Sequence, residues 1–442
     1  MSNTRLRRRH LHGPGLPLAA RIARYRARGS GWLARLGPGL ITGASDDDPS
    51  GIATYSQAGA QFGYAMGWVM LLSFPLMTAI QEISARIGRV TGEGIAGNLR
   101  AHYPRPLLIG IVAALLVANI LNLGADLGAM GAALQLLLGG PAKLYVVGFA
   151  AFCAALETFS RYAVYVRFMK WSALTLLAYV ATAFAVHVDW RAVALATFIP
   201  SFSFDRDYVI AIVAVLGTTI TPYCFFWQSS QEAEDEREDP AAHTLLQAPL
   251  EAPREMHRIR FDTVLGMGYS NVISLFIIIS TAATLHVHGI TTVATSTEAA
   301  EALRPIAGPF AFALFAVGII GIGLLAVPVL AGSAAYAVGE ALLWPVGLAR
   351  RPLDARAFYA TVAIATLCGI SINLLDMDPI RALFWCSVLN GIVAVPLMAM
   401  IMVMAMQKRV MGSFTLPRPL CALGWLSTAV MAAAVTIMFA EL

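Results

Sequence analysis

The sequence predicts an all-α membrane protein of eleven transmembrane helices. They are read as two inverted five-helix repeats plus one further helix, with the first and sixth helices broken near the bilayer midplane. Three observations predict it. The 442-residue chain is 58% hydrophobic and 13% charged, about half the ~25% charged share of soluble domains, so its solvent is largely lipid. Its apolar runs reach spanning length eleven times. Its basic residues collect in alternate connecting segments.

The runs cover 36–60, 62–86, 106–138, 142–160, 163–187, 207–230, 262–286, 305–340, 356–375, 380–406 and 416–440. About 20 apolar residues suffice to cross the hydrocarbon core, and the longer runs at 106–138 and 305–340 predict tilt or protruding ends. Residues 1–35 form a basic arm with nine arginines. It lacks the short apolar core and small-residue cleavage site of a signal peptide, and it suits lipid headgroups better than nucleic acid.

With the N-terminus in the cytoplasm of a bacterial inner membrane, 26 of the 31 basic residues lie inside. Lys143, Arg191, Arg206, Arg304 and Arg381 remain outside, and the C-terminus is external. The segment 231–261 reads as a solvated cytosolic loop, acidic first and basic later. Five cysteines without paired spacing read as small buried hydrophobes. Glu82 and Arg86, four residues apart, read as a helix-end pair. His286 and His288 read as surface residues.

Two spans carry polar interruptions: Gly43 to Gly51 in span 1, and Gly217 to Tyr223 in span 6. Five spans separate them, so they occupy matching places in the units 36–187 (spans 1–5) and 207–406 (spans 6–10). An odd number of spans per unit makes the two units inverted, and span 11 (416–440) lies outside the repeat. Paired Pro/Gly-interrupted helices point to a midplane substrate site.

Pro49 deprives the Ser45 carbonyl of its helical donor, and Pro222 does the same to Thr218. In lipid such carbonyls need a partner. Asp48 adds a carboxylate and Thr221 a hydroxyl, and spans 1 and 6 contain no Lys or Arg to pair the acid. The expectation is an all-oxygen cation site. The competing reading is that Asp48 caps the following half-helix or bonds a neighbouring hydroxyl. Asp46 and Asp47 rank below Asp48, because successive helical residues turn by ~100°. Cys224 is expected to turn away from Thr221. In span 10, Asn390 is a candidate for lining the site, and an interhelical hydrogen bond is its alternative role.

The stretch Gly37-Pro38-Gly39 through Asp48-Pro49-Ser50-Gly51, then Gln61-Phe62-Gly63-Tyr64, Ala85-Arg86-Ile87-Gly88 and Val90-Thr91-Gly92, resembles the Nramp metal transporters. The resemblance implies the LeuT-type fold, alternating access and transition-metal uptake. It maps the family's Asp to Asp48, its Asn to Gly51 (with Ser50 as a possible substitute ligand) and its metal-binding Met to Thr221. The sixth-helix histidines map to Tyr223 and Gln228. Asp126 keeps one acid of the family's proton path, while Ala129 replaces the other.

Loss of the thioether favours hard ions, and the site resembles that of the Nramp-related magnesium transporters. The expected cargo is Mn²⁺ or Mg²⁺, weakly coupled or uncoupled to protons, with Asp126 as the remaining proton link. No cofactor, nucleic acid or obligatory protein partner is expected; the partners are the ion and membrane lipid. The alternatives are a proton-coupled Mn²⁺/Fe²⁺ importer, a LeuT-fold carrier of an organic cation, and an intramembrane aspartyl hydrolase using Asp48 and Asp126.

Overall fold

The computed structural model describes residues 38–159, 176–238, 242–293, 295–301, 308, 311–374 and 378–441. The basic arm, Arg161, Arg167, Lys170 and Arg304 lie outside the described residues. All regular structure among the described residues is helical.

The first span is two half-helices, α1 (Pro38–Asp46) and α2 (Pro49–Phe62). Then come α3 (Gly67–Thr91), the short α4 (Ile95–His102), α5 (Arg105–Leu138), α6 (Ala142–Phe159) and α7 (Leu177–Ala185). A short helix, α8 (Trp190–Phe198), precedes the second broken span, α9 (Arg206–Thr219) and α10 (Pro222–Glu238). The chain closes with α11 (Ala252–Thr284), α12 (Ser296–Glu301), α13 (Ala311–Leu342), α14 (Arg356–Ile372), α15 (Pro379–Met406), α16 (Lys408–Met411) and α17 (Arg418–Glu441).

Within the described residues each predicted span coincides with helix; the fifth does so over α7 and the eighth from Ala311, since 160–175, 302–307 and 309–310 lie outside the described residues. By length and apolarity alone, seven stretches among the described residues could cross a bilayer. One of these, Pro49–Thr91, joins α2 and α3 through a turn of 3-10 helix at Gly63–Met66.

The breaks fall where the prolines stand. Asp48 leaves the helical region (φ −65°, ψ 172°) and caps α2 through the Gly51 amide, with Pro49 at the first helical position. The second gap, at Ile220 and Thr221, ends at Pro222. Pro75, Pro328 and Pro396 sit inside α3, α13 and α15 without ending them, so proline alone does not make the breaks.

Half-helix α1 docks on α11 backbone to backbone. A Cβ at Gly43 would stand 2.2 Å from the Gly266 carbonyl carbon. The N-terminal amides of α1 are capped from α11, Gly39 N–H donating to Asp262 Oδ2 at 2.7 Å and Leu40 N–H to Oδ1 at 3.3 Å. Helix α9 packs on α15 with the same intimacy, Gly217 against the Ser387 carbonyl and the Gly391 backbone.

The segment 231–261 departs in part from the expectation of a solvated loop: Asp235, Arg237 and Glu238 are exposed, but Glu232 and Glu234 are buried. Residues 231–238 extend α10, and 252–261 already belong to α11. Glu232 is fully buried and pairs with Arg258 at 2.5 Å; Arg258 also reaches Glu255 at 3.0 Å, and Glu255 meets Arg89 of α3 at 3.3 Å. Glu234 accepts from the Ala349 amide at 2.7 Å and from the Tyr336 hydroxyl. These acids read as a surface run because each finds its partner far away in sequence. Glu82 and Arg86 do pair, at 2.5 Å. Cys153, Cys224 and Cys386 are buried, whereas Cys368 is exposed, against expectation. His286 and His288 are exposed, in a short turn after α11.

Gly43→Ala is expected to lower stability by about 1–3 kcal/mol, because the clash is with backbone, which yields less readily than a side chain. Thermal unfolding of the detergent-solubilised protein checks this; a midpoint equal to wild type would show that α1 does not dock on α11 in this way.

Candidate functional site

The two breaks meet. The hydroxyl of Thr221 donates to Asp46 Oδ1 at 2.5 Å, and Ser50 Oγ lies 3.4 Å from Thr218 Oγ1. The C-termini of α1 and α9 converge here, each presenting the negative end of its dipole and carbonyls without helical donors. Half-helix C-termini arranged in this way favour cations.

Asp48 is the most heavily bonded side chain of the group. Its Oδ1 accepts from Ser50 Oγ at 2.5 Å and from the Gly51 amide at 2.9 Å. Its Oδ2 accepts from Asn122 Nδ2 at 2.8 Å and lies 3.1 Å from the Tyr223 hydroxyl. The capping and hydroxyl-bonding role is therefore realised, beside whatever role in ion binding Asp48 has. The Tyr223 hydroxyl lies closer still to the Ser45 carbonyl, 2.7 Å, so one phenolic proton serves two acceptors.

Two contacts bear on the sequence reading at this point. The freed Ser45 carbonyl is met by a neutral phenol, so a cation is not its only possible partner. The Thr221 hydroxyl turns to Asp46 and not to Asp48, which gives Asp46 a larger part than its rank in the sequence reading. Cys224 also departs from expectation: its Sγ sits 3.9 Å from Asp46 Oδ1, at the edge of the cluster.

Gly51 leaves the space between α2 and α9 open, since a Cβ there would lie 3.3 Å from Thr218 Oγ1. Gln228 stands apart from the cluster: it accepts from Gln81 at 2.6 Å and donates to Thr263 at 3.0 Å. Asn390 is buried, and its amide nitrogen has no hydrogen-bond partner. It shares a helix face with Ser387, which accepts from the Thr54 hydroxyl at 2.8 Å and approaches the Ser50 carbonyl at 3.5 Å.

Asp126 is fully buried, with neither oxygen hydrogen-bonded. It lies one turn beyond Asn122 on α5 and within electrostatic reach of Asp48. Four carboxylates, Asp46, Asp47, Asp48 and Asp126, are thus at most 1% exposed, and every hydrogen-bond partner they have is neutral. Among the described residues no three His, Cys, Asp or Glu side chains converge to hold a metal. An ion here would draw on hydroxyl, phenol, amide and carbonyl oxygens as well as carboxylates.

Sequence reasoning missed Asn122, Ser270 and Ser274. The signal was present. Asn119, Asn122 and Asp126 recur at three and four residues along an otherwise apolar helix, and Thr263, Ser270, Ser274 and Thr281 fall at seven, four and seven.

An apolar helical bundle whose two broken spans meet at a buried polar site is the architecture of a secondary transporter. The chain belongs to the Nramp family: the sequence model of that family, described as natural resistance-associated macrophage protein-like, matches residues 39–441. Similar curated proteins are divalent metal cation transporters MntH. That of Granulibacter bethesdensis is 28% identical over 308 residues, 66% of each chain, and that of Deinococcus radiodurans is 27% identical over 405 residues, 89% of this chain and 86% of that one. The crystal structure of the Eremococcus coleocola manganese transporter, in complex with an aromatic bis-isothiourea compound, shares the fold. It superposes with a TM-score of 0.70 at 18% identity, covering 92% of this chain and 87% of the other.

Tyr223→Phe preserves shape but removes the donor to Ser45 and Asp48. It is expected to cost about 1–3 kcal/mol of stability in chelator-treated protein. Thermal unfolding measures it, and an unchanged midpoint would show that the phenol is not bonded there.

Proposed function

We propose that this chain carries divalent metal ions across the membrane by alternating access, with Asp48 as the charged ligand of a site between the two helix breaks. The observation that carries the reading is the meeting of two helix C-termini at buried carboxylates whose only partners are neutral. Buried acids in a bilayer call for a partner of opposite charge, and a dication supplies it. Membership of a family whose curated relatives are named as metal transporters, not enzymes, supports the same reading.

The cargo is Mn²⁺ and Mg²⁺. Asp48, the carbonyls of Ser45 and Thr218, the Thr221 hydroxyl and Ser50 beside Gly51 offer oxygen, which suits hard ions. The Cys224 thiol beside Asp46 adds one soft atom at the margin. The phenol of Tyr223 would move from Ser45 as the ion arrives, so ion binding exchanges one partner for another and leaves no carbonyl bare. Proton coupling is weak or absent: Asp126 has no bonded relay, and Ala129 stands one turn on. The orientation remains that of the basic residues, with the N-terminus cytoplasmic.

Uptake of ⁵⁴Mn²⁺ into proteoliposomes tests the reading. Asp48→Ala is expected to reduce uptake to that of empty vesicles while the protein still inserts. Millimolar Mg²⁺ is expected to compete in the wild type; uptake indifferent to Mg²⁺ would refute the hard-ion assignment and favour an ordinary Mn²⁺/Fe²⁺ importer. Thr221→Met is expected to shift preference toward Mn²⁺ and Cd²⁺ and away from Mg²⁺, by about tenfold or more for a soft ligand gained. An unaltered ion profile would remove residue 221 from the site. Lumenal acidification that accompanies Mn²⁺ entry would overturn the uncoupled mechanism.

A further inference from the structure

Three carboxylates stand in succession at the first break, and the transport reading rests on Asp48. Asp47 turns away from it, toward α11. Its Oδ1 accepts from the hydroxyls of Ser270 and Ser274, both at 3.1 Å. The Ser270 hydroxyl is also 3.1 Å from Asp46 Oδ2, and the Ser274 hydroxyl is 2.9 Å from the Ser270 carbonyl. Two hydroxyl protons therefore face four acceptor contacts. Asp47 Oδ2 has no partner among the described residues, although Asp47 is wholly buried.

A second unpartnered group points into the same place. Tyr55 of α2 is fully buried. Its hydroxyl lies beside Ser274 and within electrostatic reach of the Asp46 and Asp47 carboxylates, and among the described residues none meets it at full hydrogen-bond geometry. The group is thus short of positive charge and rich in oxygen lone pairs. Its members come from three elements: the break itself, α2 and α11.

We infer that Asp47, with Asp46, Ser270, Ser274 and Tyr55, forms a second cation site for a hard monovalent ion such as Na⁺, adjoining the divalent site. Oxygen-only donors select a hard ion. The monovalent charge is set by the three acids of the break alone; Asp126, on α5, bonds none of this group. Asp46, Asp47 and Asp48 carry three negative charges when ionised, and a dication leaves one, in a region where every bonded partner is neutral. That step rests on the transport reading; the donor shortage at Asp47 does not. Asp46 belongs to both clusters, through Thr221 on one oxygen and Ser270 on the other, so occupancy of one site is felt at the other.

The full-length protein in metal-free detergent is tested for binding of ²²Na⁺ by scintillation proximity. Its ⁵⁴Mn²⁺ uptake is then compared in NaCl and choline chloride at fixed pH and ionic strength. Saturable ²²Na⁺ binding is expected in wild type and in Asp48→Ala, and its loss in Asp47→Asn. Should Asp47→Asn fail to fold, Ser274→Ala and Tyr55→Phe, each lacking one hydroxyl, carry the test by weakened ²²Na⁺ binding. Sodium is expected to lower the KM for Mn²⁺ in the wild type by about fivefold or more, a typical coupling between adjacent sites.

No saturable ²²Na⁺ binding by protein that transports Mn²⁺ overturns the inference, as does binding that survives in the Asp47, Ser274 and Tyr55 variants, or uptake that follows pH and ignores Na⁺. If Mn²⁺ is not transported at all while ²²Na⁺ binding depends on Asp47, the transport reading fails and the second site stands.

Discussion

The structure depends on placing several carboxylates inside an apolar bundle where, among the described residues, no basic side chain is bonded to them. Burying an unpaired charge is costly in any protein interior, and more so in hydrocarbon. Much of the local architecture works to soften that cost. The break places Asp48 at the positive end of α2, where an amide, a serine hydroxyl, an asparagine amide and a phenol converge on it. Asp46 and Asp47 take hydroxyls from Thr221 in the second break and from α11. None of these donors brings a full positive charge, so the region is left receptive to cations and not neutralised by the protein itself.

The breaks themselves were legible in the sequence, because their cause is local. Proline with an acid or a hydroxyl-bearing neighbour, twice, five spans apart, is a covalent signature. Pro75, Pro328 and Pro396 show what the signature needs beyond proline: those helices continue, and the residues on either side of each proline are apolar (Phe74 and Leu76, Val327 and Val329, Val395 and Leu397), whereas Asp48 and Ser50 flank Pro49 and Thr221 and Tyr223 flank Pro222. The spans were legible too, since lipid demands continuous apolar length.

The partner assignments were not legible. Thr221 bonding Asp46, and Tyr223 answering the Ser45 carbonyl, depend on how α10 is rotated against α1, and that rotation is set by packing across more than 170 residues of chain. The same holds for Glu232 and Arg258, which composition places in solvent and tertiary structure places in a buried pair. Gln228 shows the converse. The family resemblance put it near the site, but Gln81 and Thr263 hold it in a separate polar layer. Polar residues in an apolar helix announce a buried interaction; which interaction is a property of the neighbours.

The cap that Asp262 places on the first amides of α1 has a mechanical consequence. A half-helix cut loose at one end by a proline break would be free to swivel, yet here its far end is clamped by a carboxylate on α11, and the glycine contact at Gly43 and Gly266 leaves no gap along its length. The segment and α11 thereby form a single unit, with the break at Asp47 and Asp48 as its joint. Asp47 is itself bonded to α11 through Ser270 and Ser274, so a shift of α11 would carry the carboxylates with it, and a guest drawn in by them would pull on α11.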